Sequence, residues 1–141
     1  MTDASAASMS DSTGKPTLNH ALIVKDRNGP KAYWLTAEVY TLGRDADNSI
    51  CIDSQYVSRK HALLYRVNDG RGGFLYQILD GDVNGTPSTN GLFMDDQRID
   101  FLNLEHGNEI RMSCDVTVTY VTTSRTFDYI LSTYERTRIA G

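Results

Sequence analysis

The chain has little that would staple it, embed it in a membrane or attach it to polyanions. Only two cysteines occur in 141 residues, too few for a disulfide framework and without the paired spacing of a zinc site. Cys51 and Cys114 lie in apolar surroundings on expected strands, and both read as small buried hydrophobes. No apolar run approaches the ~20 residues that a membrane-spanning helix needs. The opening Met1-Thr2-Asp3-Ala4 has neither the basic nor the apolar region of a secretory signal. These absences predict a cytoplasmic protein with no membrane partner. A net charge of −4 argues against a general nucleic-acid binder, which would be basic. Arg44, Arg59 and Lys60 can still form a local basic patch. Neither a Gly-x-x-x-x-Gly-Lys loop nor a Gly-x-Ser-x-Gly elbow is present. The residues therefore call for no cofactor and no metal, and the chain reads as a non-enzyme.

What is present suits one soluble domain with tails: 40% hydrophobic and 23% charged residues. Residues 1–17 are mostly Ser, Ala, Thr, Asp and Gly with almost no large apolar side chain. Such a segment cannot bury enough surface to offset its ordering entropy, which predicts a disordered tail. Residues 18–124 then form the domain. In 125–141, Phe127, Ile130, Leu131 and Tyr134 recur at i, i+3, i+4 and i+7, and Thr126 can cap the start. This spacing predicts a short C-terminal helix docked on the body.

Between the tails the pattern is β-like. Ala21-Leu22-Ile23-Val24 and Tyr33-Trp34-Leu35 flank a turn containing Asn28-Gly29, a hairpin signal. Ala62-Leu63-Leu64-Tyr65 and Phe74–Leu79 flank the glycine-rich stretch 68–73, and Leu92-Phe93-Met94 and Arg98-Ile99 flank Asp95-Asp96-Gln97. Val116–Tyr120 alternates strictly, as a strand with one wet face does. Many short strands with no helix between them predict an all-β sandwich or barrel.

Four polar fragments interrupt these runs: Gly43-Arg44, Ser58-Arg59-Lys60-His61, Thr89-Asn90-Gly91 and His106-Gly107-Asn108-Glu109-Ile110. Each sits where a hydrophobic run ends or begins, so all four are expected in loops at one end of the body. Arg44 supplies a planar, permanently charged fork that can hold two phosphate oxygens. Ser58 supplies a hydroxyl, and the N–H groups of its loop can add to it. His61 is better placed to hold the Ser58 loop by hydrogen bonding than to act as a base. Asn90 offers a donor and an acceptor, which suits a peptide backbone. Gly91 lets the chain turn into the next strand.

The order Gly-Arg, Ser-x-x-His, Thr-Asn-Gly resembles the forkhead-associated (FHA) domain, a phosphothreonine-binding module, over roughly residues 20–123. The resemblance implies a β-sandwich of about eleven strands. It implies that Arg44 and Ser58 bind the phosphate and that Thr89 assists at the phosphothreonine. Asn90 and Arg59 would contact the peptide main chain, and Gly43, His61 and Gly91 would support the site. The implied partners are proteins phosphorylated on threonine by a Ser/Thr kinase. The polar tail, with Thr2, Ser5, Ser8, Ser10, Ser12 and Thr13, is a candidate for phosphorylation and self-binding. The alternative is a phosphate-independent scaffold or oligomerisation module on the same fold. Two details depart from the family pattern. The closing turn reads Gly107-Asn108-Glu109-Ile110 where Gly-Asp-x-Ile is usual. The stretch 80–87 lengthens the loop before Thr89, where it could shape peptide selectivity or cover part of the site. Asp80, Asp82, Asn84 and Gly85 also match the first half of an EF-hand loop. Gly91 stands where that loop needs a bidentate glutamate, so specific calcium binding is not expected.

Overall fold

A computed structural model describes residues 18–124. The expected tail 1–17 and the C-terminal helix lie outside the described residues. Eleven strands follow one another: β1 (Asn19–Asp26), β2 (Gly29–Leu35), β3 (Val39–Gly43), β4 (Ile50–Cys51), β5 (Ala62–Asn68), β6 (Phe74–Asp80), β7 (Leu92–Met94), β8 (Gln97–Ile99), β9 (Phe101–Asn103), β10 (Glu109–Ser113) and β11 (Val116–Thr123). They form two sheets, a five-stranded one in the order β9-β6-β5-β3-β4 and a six-stranded one in the order β2-β1-β11-β10-β7-β8. All pairings are antiparallel except β3 with β4. The all-β sandwich expected from the strand pattern is what forms.

Period-two alternation puts Leu22 and Val24 of β1, Leu64 of β5, Tyr76 and Ile78 of β6, and Val118 and Tyr120 of β11 into one core between the sheets. Each large aliphatic side chain so buried stabilises the fold by roughly 1.5–3 kcal/mol. The hairpins form where the turn residues demand them, though not always with the expected backbone. In the first, only Gly29 takes positive φ (+94°), so Asn28 does not adopt the mirror-image turn its Asn-Gly pair suggests. In the β7–β8 hairpin, Asp95 (φ 52°) and Asp96 (φ 66°) carry that conformation without glycine.

The cysteine expectation is corrected. Cys51 is exposed, because Ile50 and Ile52 on either side of it take the inward positions. Cys114 is exposed in the β10–β11 turn rather than on a strand.

Strand polarity divides the molecule into two ends. β3 and β6 finish, and β5 and β7 start, at one end; there the chain crosses between sheets, with Asp80 N–H donating to the Asp100 carbonyl (2.9 Å). β10 starts at the other end, which an aromatic cluster closes. There His20 stacks on Phe74 (centroids 4.4 Å apart) and bonds the Tyr120 hydroxyl, while Tyr76 Oη donates to the Ala37 carbonyl (2.6 Å). Burial pushes Tyr76 up to about 12 and raises Tyr120 as well, so both stay neutral phenols.

Candidate functional site

Three of the four polar fragments converge at the first end. The fourth does not, and this corrects the expectation that all four gather. Gly107 caps the opposite end, where its N–H donates to the Tyr120 carbonyl (2.8 Å) and the Tyr120 N–H returns to the Asn108 carbonyl (3.0 Å). The reason is strand parity: β7, β8 and β9 carry the chain back and forth, and β9 runs away from the site into this turn.

Gly43 ends β3 with almost no space around its Cα. A Cβ there would stand 2.1 Å from the Arg59 carbonyl oxygen and 2.9 Å from Asn48 Nδ2. Only glycine lets the 58–60 backbone lie against β3, and that contact aligns the next residue. Arg44 N–H donates to the Ser58 carbonyl (3.0 Å), and Arg44 Nε donates to the Val57 carbonyl (3.1 Å). The guanidinium is thus anchored by one nitrogen while its two terminal nitrogens stay exposed, paired with no described carboxylate. Asn48, unremarked in the sequence, buttresses the same contact from a buried position. Its Nδ2 donates to the Asp45 (2.9 Å) and Arg59 (2.8 Å) carbonyls.

His61 joins two of the loops. Its ring is fully buried; Nδ1 accepts the Ser58 N–H (3.0 Å), so Nε2 carries the proton and donates to the Gly91 carbonyl (2.9 Å). Burial holds its pKa below the usual histidine value, against the opposing pull of the Gly91 carbonyl and Asp80. With both nitrogens engaged, the imidazole positions the loops as expected and cannot serve as a general base.

Ser58 Oγ accepts the Thr89 N–H (2.9 Å), which leaves the hydroxyl proton to be donated elsewhere. Ser88, a second residue with no sequence signal of its own, sets the Thr89 loop. It is buried, its hydroxyl donates to Asp80, and its Oγ accepts the Gly91 N–H (2.9 Å). Asn90 Nδ2 donates one hydrogen to the Tyr56 carbonyl (2.6 Å), which leaves Oδ1 and the second amide N–H open, so the expected donor and acceptor are both still present. Gly91 has φ +81° and a Cβ there would press on the Arg98 guanidinium, which satisfies the expectation of a glycine-only turn.

The expected basic patch is smaller than its sequence suggests. Lys60 Nζ is tied to Asp47 (2.7 Å), a contact that lowers the Asp47 pKa. Arg44 and Arg59 remain as the exposed cations. The exposed Tyr56 side chain, in the loop that leads to Ser58 and Arg59, was not anticipated; a lone aromatic in a polar loop is the signal that could have marked it. The lengthened loop folds on itself. Asp82 Oδ1 accepts the N–H groups of Asn84 and Thr86 (both 2.9 Å), while Asp80 accepts from Ser88. These two carboxylates therefore cap separate parts of the loop and do not converge on a cation position.

This end of the sandwich presents two guanidinium nitrogens, a hydroxyl proton, an amide group and a second arginine, on loops tied together by hydrogen bonds of which the two to Gly91, from His61 and Ser88, are buried. Such a set can bind a dianionic tetrahedral group and the chain attached to it.

A family model described as the FHA domain matches residues 40–113. The Synechocystis protein sll1895 is 31% identical over 102 residues, covering 72% of this chain; the chain spans 14% of that relative's length. The crystal structure of the Synechocystis protein Slr1951 superposes with a TM-score of 0.70 at 38% identity, covering 72% of this chain and 96% of that one. Mycobacterium tuberculosis EmbR, solved in complex with a low-affinity phosphopeptide, superposes with a TM-score of 0.58 at 31% identity, covering 75% of this chain and 25% of that one.

Proposed function

From the premise that the chain belongs to the FHA domain family, we propose that it is a phosphothreonine-dependent protein-binding module spanning residues 18–124. In this reading Arg44 and Ser58 hold the phosphate and Thr89 assists at the modified residue, while Asn90 and Arg59 grip the peptide main chain. Gly43, His61 and Gly91 keep the three loops in register. The observation that carries it is the pattern of the tethers. Arg44 Nε and Ser58 Oγ are each held by a neighbouring loop, by the Val57 carbonyl and the Thr89 N–H, which leaves the terminal guanidinium nitrogens and the Ser58 hydroxyl proton uncommitted.

Phosphorylation adds a charge of about −1.5 to −2 and three strong acceptor oxygens to threonine. The anchored guanidinium and hydroxyl accept that charge with little reorganisation, because the loops are already fixed. An unmodified threonine has nothing to neutralise Arg44, so the modification is the switch. Asn90 Oδ1 accepts a peptide N–H, and Tyr56 lies beside it to cover the peptide's apolar side. The EmbR complex, a related domain with a phosphopeptide bound, supports this use of the fold. The partners are Thr-phosphorylated proteins, and the role is adaptor rather than enzyme.

The test is calorimetric titration with a phosphothreonine peptide library and its dephosphorylated counterpart. Affinity on the order of micromolar, about −8 kcal/mol, is expected for the phosphorylated form alone. Equal binding of the two forms, or binding unaffected by Arg44→Ala and Ser58→Ala, would instead support the phosphate-independent scaffold.

A further inference from the structure

The outward face of the six-stranded sheet is apolar and sealed, yet no described strand lies over it. Ala21 and Ile23 of β1, Ala32 of β2 and Val121 of β11 alternate with the residues that face the sandwich core, so they point away from it. Cross-strand pairing places Ala21 between Val121 and Trp34, and Ile23 beside Ala32, as one continuous patch. On an uncovered sheet such residues would be wet. Instead Ala21 and Ile23 are 0% exposed, Val121 3% and Ala32 7%, in a cluster separate from the main core, with Trp34 packed at its edge. The five-stranded sheet is on the other side and cannot supply the cover.

We propose that this face is the docking surface for the chain's own C-terminal segment, 125–141, through Phe127, Ile130, Leu131 and Tyr134. Two segments lie outside the described residues, and their composition decides between them. Residues 1–17 hold almost no large apolar side chain and gain little by covering an apolar patch. Residues 125–141 hold four large ones on a single stripe. Connectivity agrees: β11 ends at Thr123, two residues beyond Val121, so the chain leaves the sheet at the patch itself. Only Ser124 to Thr126, with a reach of at most about 10 Å, separate Phe127 from the end of the strand in the sequence. The patch is then intramolecular core. The alternative of oligomerisation loses this apolar surface as an interface.

Trp34 is the chain's only tryptophan, so its emission reports on this face directly. In the full chain, Ile130→Asp with Leu131→Asp should shift Trp34 emission to longer wavelength and increase its quenching by acrylamide. Ser132→Asp, off the stripe, should do neither. A companion measurement is the isotope-edited NOE spectrum of the unmodified full chain. Contacts between the Ile23 or Val121 methyls and the Phe127 or Tyr134 rings are expected within one molecule. Unchanged emission in the double variant overturns the proposal. So do intermolecular contacts alone from a mixed-labelled sample, which would assign the face to a second copy. Phosphopeptide titration is independent of either outcome, because the patch lies on the sheet face and not in the loops.

Discussion

His61→Phe isolates the part of the site that the structure makes most explicit. The substitution keeps an aromatic ring in a fully buried position but deletes both hydrogen bonds, to the Ser58 N–H and the Gly91 carbonyl. The Gly91 oxygen lies in a buried bond and the Ser58 N–H in a partly buried one, so the first cannot recruit water and the second does so only in part. At about 1–3 kcal/mol for each unsatisfied buried group, the loss comes to about 2–4 kcal/mol. For a domain of this size that corresponds to a Tm lower by roughly 10–25 °C. It stays within a typical stability of about 5–15 kcal/mol, so the variant should still fold. Its Ser58 loop is no longer tied to Thr89-Asn90-Gly91 from beneath, so phosphopeptide affinity should fall roughly tenfold, or about 1.4 kcal/mol. His20→Phe is the matched control, since His20 is also buried and hydrogen-bonded but sits at the far end against Tyr120 and Phe74. It should lower stability and leave affinity unchanged. Urea unfolding and calorimetric titration of both variants decide the matter. If the two substitutions weaken binding equally, or if His61→Phe costs less than about 0.5 kcal/mol, the bridging role assigned to His61 is wrong.

Other consequences follow from the same contacts. Arg44→Ala should weaken phosphopeptide binding by about 2–4 kcal/mol, read by titration, and lower the free energy of urea unfolding by only about 0.5–1.5 kcal/mol, because the exposed side chain gives up a single hydrogen bond, to the Val57 carbonyl. Gly43→Ala should destabilise by about 3 kcal/mol or more in urea unfolding, since its Cβ meets the Arg59 backbone and no flexible side chain can yield. Acid should weaken the fold through His20 and His61, both held below 6.5 chiefly by burial. The unfolded chain then takes up protons that the folded chain refuses, so stability is full above pH 6.5 and declines as the pH falls below it. The slope should reach at most about 1.4 kcal/mol per pH unit for each histidine. Urea titrations at a series of pH values should show this slope reduced in His61→Phe; an unchanged slope would refute the assignment.

Much of the frame was legible because its signals are local. Alternation in Val116–Tyr120 and the punctuation around Gly29, Gly70 and Gly72 each act within a few residues, and the strands and hairpins form there. The contact of His61 with Ser58 was legible for a similar reason, since it spans only three residues, whereas its bond to the Gly91 carbonyl, thirty residues away, was not. The cysteines show the limit. Apolar neighbours marked Cys51 as buried, but in a strand the neighbours of an outward residue are themselves inward, so Ile50 and Ile52 predict exposure for the residue between them. The commitments of the Asn90 and Lys60 side chains were not readable either. Tyr56 and Asp47, their partners, lie 34 and 13 residues away and reach them only through the fold.

The placement of Gly107 turns on a different kind of information. Whether a turn joins the site end or the far end depends on how many times the chain crosses the sandwich before reaching it. Between Gly91 and Gly107 that number is set by the three short strands β7, β8 and β9, of three residues each. One strand more or fewer would have carried the turn to the other end with no change in its own sequence. A glycine turn that suits the family pattern therefore identifies the fold without identifying the site. Arg44, Ser58 and Thr89 differ in being tied to one another: Arg44 N–H and Nε reach Ser58 and Val57, and Ser58 Oγ reaches Thr89. That tethering joins three loops at one end of the sandwich, and it is the ground on which these residues, and not the Gly107 turn, are proposed as one site.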